Sequence, residues 1–342
     1  MIPLPSPKEI KKKFKLSPQA ARFVVEARKT GIDILSLKDP RKALIVGPCS
    51  IHDSTSILEY AHKLGHLAKE VESSCFLVLR VYVEKSRTST GWKGFLYDPY
   101  LDGSCDLLAG LLLTRQLLVA LAEMQIPCAV EFVDPLTAPY FEDLISWGFI
   151  GARTASSQIH RQLASSLPMP VGFKNCIEGN IENSIHAMQS SAERHTFFSA
   201  TQEGQIAALR SSGNPHTHIV LRGSCQGPNY DINSVQKTLQ ALQSHTLKER
   251  LMIDCSHGNA RKHEDKQQEV FFSVLEQIDK GNKAIIGLML ESHLEKGNQP
   301  LAQDPSTLKY AVSITDPCLD WSATKILIQE AHSVLSPVEI GC

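Results

Sequence analysis

The 342-residue chain contains no apolar run approaching the roughly 18 to 20 residues that a membrane span requires. Met1-Ile2-Pro3-Leu4-Pro5 likewise lacks the apolar core of a signal peptide, so the expected location is cytoplasmic, with no membrane partner. A basic surplus is also missing. The 35 Lys and Arg stand against 36 Asp and Glu for a formal net charge of -1, which argues against nucleic acid as a partner. Any concentrated positive field must therefore be local. The nine cysteines have no CxxC or metal-ribbon spacing, and Cys75, Cys128 and Cys255 fall inside apolar runs. That pattern fits reduced, buried thiols in a reducing compartment better than disulfides. At 42% hydrophobic the chain can bury a full core without help from a partner.

What the chain does have is a concentration of chemistry between Arg80 and Gly94. The apolar run Phe76-Leu77-Val78-Leu79 reads as a buried strand that ends in Arg80 and opens into a loop bearing Glu84, Lys85, Arg87, Thr88, Ser89, Thr90 and Gly91. Cations set among small hydroxyl residues and a glycine suit phosphate or carboxylate oxygens, because guanidinium is a planar multiple donor and ammonium a point charge. A solvated charged turn would interleave acids with bases and would have no need of an arginine at the strand end. The ligand this loop implies is a phosphorylated metabolite.

Upstream, residues 1–40 read as an extension. Lys8, Lys11, Lys12 and Lys13 form a basic arm expected to be solvated or partly mobile, and Ser17-Pro18 starts a helix expected to stop at Gly31. From residue 41 to 342 short apolar runs alternate with helical patterns, which predicts repeated βα units around a parallel sheet. The runs are Ala43 to Cys49, Cys75 to Tyr82, Cys128 to Val133, Phe149 to Arg153, Pro170 to Asn175, His218 to Gly223, Leu251 to His257 and Lys283 to Ser292. Thr196 to Ala200 is read as part of a hairpin inserted around residues 193–217. The polar residues at the ends of the runs decide the architecture: Cys49, Arg80, Glu131, Arg153, Lys174, Arg222, His257 and Glu291. A closed (β/α)8 barrel gathers all of its strand ends on one face, whereas an open sheet would use mainly those near its switch point. The expected fold is therefore an α/β (β/α)8 TIM barrel with an N-terminal helical extension and an inserted hairpin.

Gathered on one face, these ends carry two kinds of chemistry. Cys49, His257, Glu291 and Asp316 offer a thiolate, an imidazole and two carboxylates, a mixed donor set suited to Mn, Fe, Co or Zn more than to Mg or Ca. Taken singly, a strand-end cysteine or histidine is more often a core residue, and only co-location makes a site. Arg80, Lys85, Arg153, Lys174 and Arg222 are five cations whose one evident acidic companion is Glu131, so a polyanionic substrate is their natural counterweight. Lys174 could alternatively act as a Schiff-base lysine, a route the metal set makes unnecessary.

The motifs Gly47-Pro48-Cys49-Ser50-Ile51-His52-Asp53, Glu84-Lys85-Ser86-Arg87-Thr88, Gly91-Trp92-Lys93-Gly94, Gly151-Ala152-Arg153-Thr154, Gly172-Phe173-Lys174-Asn175, Leu221-Arg222-Gly223, Asp254-Cys255-Ser256-His257 and Ser313-Ile314-Thr315-Asp316 occur in this order. Together, over about residues 17 to 335, they resemble the type I, short-chain 3-deoxy-D-arabino-heptulosonate 7-phosphate (DAHP) synthases. The resemblance implies a metal-dependent condensation of phosphoenolpyruvate with erythrose 4-phosphate, the first step of the shikimate route to aromatic amino acids. It implies one divalent ion on Cys49, His257, Glu291 and Asp316. By the same likeness phosphoenolpyruvate falls to Arg80, Lys85, Ala152, Arg153, Lys174 and Arg222, and the aldose phosphate to Arg87, Thr88 and Asp316. Lys85, Glu131, Lys174 and His257 are the candidates for moving protons and placing water.

The chain also departs from the family pattern. Ser86 stands where relatives commonly have proline, which removes a fixed φ from the loop, and a lysine that relatives often carry is missing after Arg222-Gly223. The resemblance further implies a homodimer or homotetramer with an aromatic amino acid effector outside the barrel, against Pro135 to Pro139, Leu163, Leu167, Pro168, Phe197 and Ser199. Ala138 and Pro168 differ from the usual residues there, so weakened or altered effector binding is expected. The nearest enzymatic alternative is 3-deoxy-octulosonate 8-phosphate synthase, whose corresponding loop has Asn before Arg-Ser-Ser where this chain has Ser86-Arg87-Thr88-Ser89. A non-catalytic metabolite-binding barrel would be expected to have lost a metal ligand or a clamp cation, and none is missing.

Overall fold

A computed structural model describes residues 2–336; Met1 and the last six residues of the expected 41–342 unit lie outside the described residues. The chain opens with α1 (Pro7–Lys13) and α2 (Pro18–Leu35), followed by β1 (Lys42–Gly47), α3 (Ser54–Glu70), β2 (Cys75–Arg80) and α4 (Leu107–Glu123). Next come β3 (Cys128–Glu131), the short α5 (Ala138–Phe141), β4 (Trp147–Ile150), α6 (Gln158–Ser166), β5 (Val171–Lys174) and α7 (Glu182–Ala192). The rest is β6 (Thr196–Ala200), β7 (Ile206–Arg210), β8 (Thr217–Leu221), α8 (Ile232–Ser244), β9 (Leu251–Asp254), α9 (Lys266–Asp279), β10 (Ile285–Glu291) and α10 (Trp321–Leu335). Eight strands close a parallel barrel in the order β1-β10-β9-β8-β5-β4-β3-β2, while β6 and β7 pair antiparallel as a separate hairpin.

Each of the eight apolar runs overlaps one barrel strand, although β4 begins at Trp147, two residues before its run, and β1 and β8 each begin one residue before theirs; the continuity of the runs follows from burial on both faces. In β1, Ala43 and Ile45 face the barrel interior with Val78, Ala129, Trp147, Phe149, Val220, Met252 and Met289. Leu44 and Val46 face outward into the layer shared with the helices. Inside the barrel the Trp147 indole donates to Nε2 of His218 at 3.0 Å, and burial pushes the His218 imidazole down to about 4, so it accepts as a neutral ring. The strands are shorter than the apolar runs. Cys49, Arg153, Arg222 and His257 lie beyond the ends of β1, β4, β8 and β9, in loops that can bend toward the axis.

Two expectations for the extension need correction. The helix begun at Ser17-Pro18 does not stop at Gly31 but runs to Leu35. Gly31 serves packing instead: a Cβ there would meet Trp147 and Pro170 at 3.1 Å, so the bare backbone lets α2 close on the foot of the barrel, where Ile34 and Leu35 join the interior cluster. The basic arm is solvated as expected, Lys8, Lys12 and Lys13 being exposed, but it is not a loose extension. Residues Pro7–Lys13 form α1 behind a capping box at Ser6 and Glu9; the Lys8 amide donates to Gln202 O at 2.8 Å and Lys11 reaches Asp143 at 3.6 Å. The arm thus ties the hairpin tip to the segment after β3.

Close approach of backbones also holds the Arg80–Gly94 stretch in place. Its return leg, Phe95-Leu96, runs against the first turn of α4, where a Cβ on Gly110 would fall 1.8 Å from Leu96 O. Gly110→Ala is expected to destabilise the fold by about 3 kcal/mol or more, the upper range for overpacking, because the obstacle is backbone that cannot rotate away. Thermal unfolding checks this, and an unchanged Tm would mean that α4 is free to shift.

Candidate active site

The C-terminal ends of the barrel strands surround an open cavity of about 280 Å3. Its wall includes Arg80, Lys85, Arg87, Thr88, Glu131, Ala152, Arg153, Lys174, Arg222, His257 and Asp316, eleven of the thirteen residues expected from sequence. The remaining two, Cys49 and Glu291, lie beneath it. Ligand-type atoms of Cys49, Glu291 and Asp316 all lie within 4.8 Å of one another, and His257 Nε2 is 3.5 Å from Glu291 Oε1.

The floor of the cavity is held by buried charge. Arg80 donates from Nη2 to Glu291 Oε1 at 2.8 Å and from Nε to Pro48 O at 3.0 Å, and its guanidinium lies 3.7 Å from the Tyr82 ring centroid. Both members of the Arg80–Glu291 pair are 1% exposed, so each needs the other. Gln267 fixes the end of β10 by exchanging two backbone bonds with Glu291. The Lys85 ammonium donates to Cys49 Sγ at 2.8 Å. Burial and the neighbouring Glu291 push the Cys49 thiol up to about 11 in spite of Lys85. Burial also opposes the charge on Lys85, but Cys49, Glu291 and Asp316 outweigh it and raise the ammonium above its usual range. For Asp316 burial works upward, yet Lys85, His257 and Lys262 hold its carboxyl below the ordinary value.

Two residues that the sequence reading leaves without a role complete the site. Asp254, fully buried at the end of β9, has Oδ2 3.1 Å from Lys174 Nζ and 3.0 Å from His257 Nδ1. Burial alone would raise this carboxyl, but His257, Lys174 and Arg80 overrule it and keep it well below the carboxylate range. Its signal in the sequence is an acid closing the otherwise apolar run Leu251-Met252-Ile253. Glu84 is the other, 1% exposed. It accepts from the amides of Val133 and Asp134 at 3.3 and 3.1 Å and from the Thr137 hydroxyl at 3.1 Å, which fastens the base of the cationic loop to the segment after β3. Burial pushes its carboxyl up to about 8 against those donors.

The upper wall is far less tied down. Arg87 donates to Trp92 O at 2.8 Å and Arg153 to Thr88 Oγ1 at 2.9 Å, contacts that leave both guanidinium groups with donors to spare. Lys174 also approaches Glu131 at 3.8 Å. A floor of buried charge under a rim of cations with no carboxylate partner among the described residues defines a barrel enzyme whose mouth is suited to holding anions beside a cluster of side chains of metal-ligand type.

A family model described as the DAHP synthetase I family matches residues 13–329, and the chain belongs to that family. Among similar proteins is the Tyr-sensitive phospho-2-dehydro-3-deoxyheptonate aldolase of Escherichia coli K12, 46% identical over 97% of this chain and 93% of the relative. The Trp-sensitive enzyme of the same organism is 41% identical over 97% of this chain and 95% of the relative. A solved phospho-2-dehydro-3-deoxyheptonate aldolase from Francisella tularensis SCHU S4 superposes with a TM-score of 0.95 at 39% identity, covering 98% of this chain and 97% of its own.

Proposed function

We propose that the chain condenses phosphoenolpyruvate with erythrose 4-phosphate and water to give DAHP and phosphate, using the cavity at the strand ends. The observation that carries the reading is the convergence of Cys49, Glu291 and Asp316 within 4.8 Å beneath a cavity rimmed by Arg87, Arg153 and Arg222. A sulfur and two carboxylate oxygens, with His257 3.5 Å from one of them, fit a borderline divalent ion, and the buried Arg80 and half-buried Lys85 lie against Glu291 and Cys49. Cys49, His257, Glu291 and Asp316 would hold the ion, which when bound supplies Lewis acidity toward the aldehyde oxygen of the aldose.

The chain's own residues do the rest. Arg80, Lys85, Arg153, Lys174, Arg222 and the backbone at Ala152 receive the phosphoenolpyruvate, while Arg87, Thr88 and Asp316 receive the aldose phosphate. Holding two mutually repelling anions in contact is the larger part of the work, and a preformed cationic rim does it without reorganisation. As the enol C3 bonds to the aldehyde carbon, the Lys85 ammonium protonates the new alkoxide. Glu131 and Lys174, 3.8 Å apart, then set the water that adds to C2, and phosphate leaves with C–O cleavage. Asp254 holds the positions of Lys174 and His257.

A coupled assay with each aldose phosphate, with and without Mn, Fe, Co or Zn, tests the reading. Metal-dependent turnover of erythrose 4-phosphate is expected. Preference for arabinose 5-phosphate would favour the octulosonate synthase, and turnover with neither would favour a binding role. Within the enzyme reading, Arg87→Ala should raise KM for erythrose 4-phosphate far more than KM for phosphoenolpyruvate, and Arg153→Ala the reverse. Losing a charged hydrogen-bonded partner in such a site costs on the order of 2 to 5 kcal/mol. Equal effects of both variants on both substrates would remove this division of labour.

Feedback belongs to the same proposal. The relatives are described as Tyr-sensitive and Trp-sensitive, and the wall assigned here to an aromatic effector has Leu163 and Leu167 buried and Phe197 half-buried beside an exposed Pro168. On the opposite side of the hairpin Phe198 and Ile206 are 86% and 67% exposed, an apolar face suited to a second subunit of a dimer or tetramer. The altered Ala138 and Pro168 lead us to expect weak inhibition. Titrating Phe, Tyr and Trp into the initial-rate assay decides it, and strong inhibition at micromolar levels by any of the three would contradict a weakened pocket.

A further inference from the structure

Lys262 is absent from the expected site, yet it lines the main cavity and also the smaller hollow below it, which it shares with His257, Glu291 and Asp316. Three features of its surroundings call for an explanation. First, the loop after β9 holds three non-glycine residues in left-handed conformation: His257 (φ 52°), Arg261 (φ 50°) and Lys262 (φ 60°). Side chains with a Cβ resist this region, so such a run persists only where the surrounding bonds enforce it. Here they do: the Lys262 amide donates to His257 O at 2.9 Å, and the Gly258 amide donates to Arg222 O at 3.0 Å. The strained turn winds the chain back so that Lys262 stands at the cavity that His257 enters.

Second, the Lys262 ammonium has no hydrogen bond and no carboxylate within 4 Å among the described residues, whereas Arg80 and Lys174 of the floor are matched. Arg80 has Glu291 and Lys174 has Asp254, while Lys85 donates to the Cys49 sulfur. Lys85, Arg87, Arg153, Arg222 and Lys262 are the lining cations with no carboxylate within 4 Å among the described residues. An unmatched rim of this kind counts the negative charge that the substrates bring. Third, the rim cations arrive from different strands: Arg87 follows β2, Arg153 β4, Arg222 β8 and Lys262 β9. With Arg153 and Arg222 given to phosphoenolpyruvate, Arg87 alone would face the second dianionic phosphate.

We infer that Lys262 is a binding residue for the second substrate, its ammonium pairing with the phosphate of the aldose phosphate as a partner to Arg87 and Thr88. This assignment rests on the reaction proposed above. The flexible four-carbon stem of a lysine lets the cation reach the phosphate as the aldose enters and withdraw as product leaves. The strain is the structural trace of that requirement, since a glycine would satisfy the same turn at no steric cost.

The test compares wild type with Lys262→Ala, Lys262→Arg and Lys262→Gly in steady state, using erythrose 4-phosphate and unphosphorylated erythrose. Lys262→Ala is expected to raise KM for erythrose 4-phosphate about 10-fold or more, the effect of losing one charge-assisted contact. KM for phosphoenolpyruvate should stay within about twofold, and Lys262→Arg should restore most of the loss. With unphosphorylated erythrose the variants and wild type should perform alike. Lys262→Gly should show the same KM increase with a Tm no lower than wild type, because glycine relieves the left-handed turn, and this separates loss of the ammonium from damage to the loop. An unchanged KM for erythrose 4-phosphate in Lys262→Ala or Lys262→Gly overturns the assignment. A rise confined to phosphoenolpyruvate, or an equal loss with unphosphorylated erythrose, overturns it as well. Wild type that turns over neither aldose phosphate overturns the reaction itself, and that outcome is read before any variant is made.

Discussion

Cys49→Ser yields a folded protein that retains no divalent metal and has lost at least about 100-fold in turnover, since disturbing even the groups behind a metal ligand acts on a 10- to 100-fold scale. The reason lies in the surroundings of the thiol. Cys49 is fully buried, its amide donates to Cys318 Sγ at 3.4 Å, and burial with Glu291 nearby pushes its proton affinity up to about 11. At neutral pH the free site therefore holds a thiol, and taking up a divalent cation must expel its proton. A serine hydroxyl holds its proton far more tightly and is a poorer donor to a borderline ion. Metal uptake by the wild type should accordingly release about one proton and tighten as pH rises toward 11, because metal and proton compete for one sulfur. Metal analysis, circular dichroism and proton release in weakly buffered solution check the three parts. A metal-free Cys49→Ser enzyme with near-native turnover would remove the thiolate from the mechanism.

The barrel was legible because its strands are buried on both faces and so appear as unbroken apolar runs, each closing in a residue with chemistry to offer. Those closing residues do reach one mouth. What the run pattern blurs is where a strand stops: Gly151-Ala152-Arg153 and Cys255-Ser256-His257 continue the composition of β4 and β9 but have already left the ladder. Gly31 misleads for a different reason. A glycine near a helix end usually signals termination, and here it answers a contact with Trp147 and Pro170, distant in sequence and invisible to any local rule. The basic arm misleads likewise, since it is helical behind the Ser6–Glu9 capping box, with Lys8 tied to Gln202 and Glu203 and Lys11 to Asp143. Lys262 is missed because nothing in Arg261-Lys262-His263-Glu264 distinguishes a functional cation from a solvated charged turn. Only the left-handed backbone and the neighbouring cavity do so.

Asp254→Asn is expected to cost about 10² to 10⁴ in turnover, on the scale seen when a neutral amide replaces a buried carboxylate behind a catalytic imidazole. Ser256 Oγ lies 2.6 Å from His257 Nδ1 and donates to Asp254 Oδ1 at 2.7 Å, so through that hydroxyl the carboxylate keeps the proton on Nδ1 and leaves Nε2 facing Glu291, 3.5 Å away. An asparagine can instead turn its NH2 toward the Ser256 hydroxyl, which then donates to Nδ1, moves the ring proton to Nε2 and spoils it as a ligand. The same change strips Lys174, 2% exposed, of its closest counter-charge at 3.1 Å and leaves only Glu131 at 3.8 Å. Breaking a buried pair on one side typically costs 3 to 5 kcal/mol, roughly, so Tm should fall along with activity. The pH dependence gives the variant a signature of its own. Asp254 is held well below its ordinary value near 3.8, so it binds fewer protons folded than unfolded. Its stabilisation is complete above that value and is lost as pH falls through the lower, folded one. Wild type should thus lose Tm more steeply than Asp254→Asn as the solution is taken from pH 5 toward pH 3, the two curves converging in acid. Parallel curves over that range would mean that the carboxylate is not the charge binding Lys174 and His257 together.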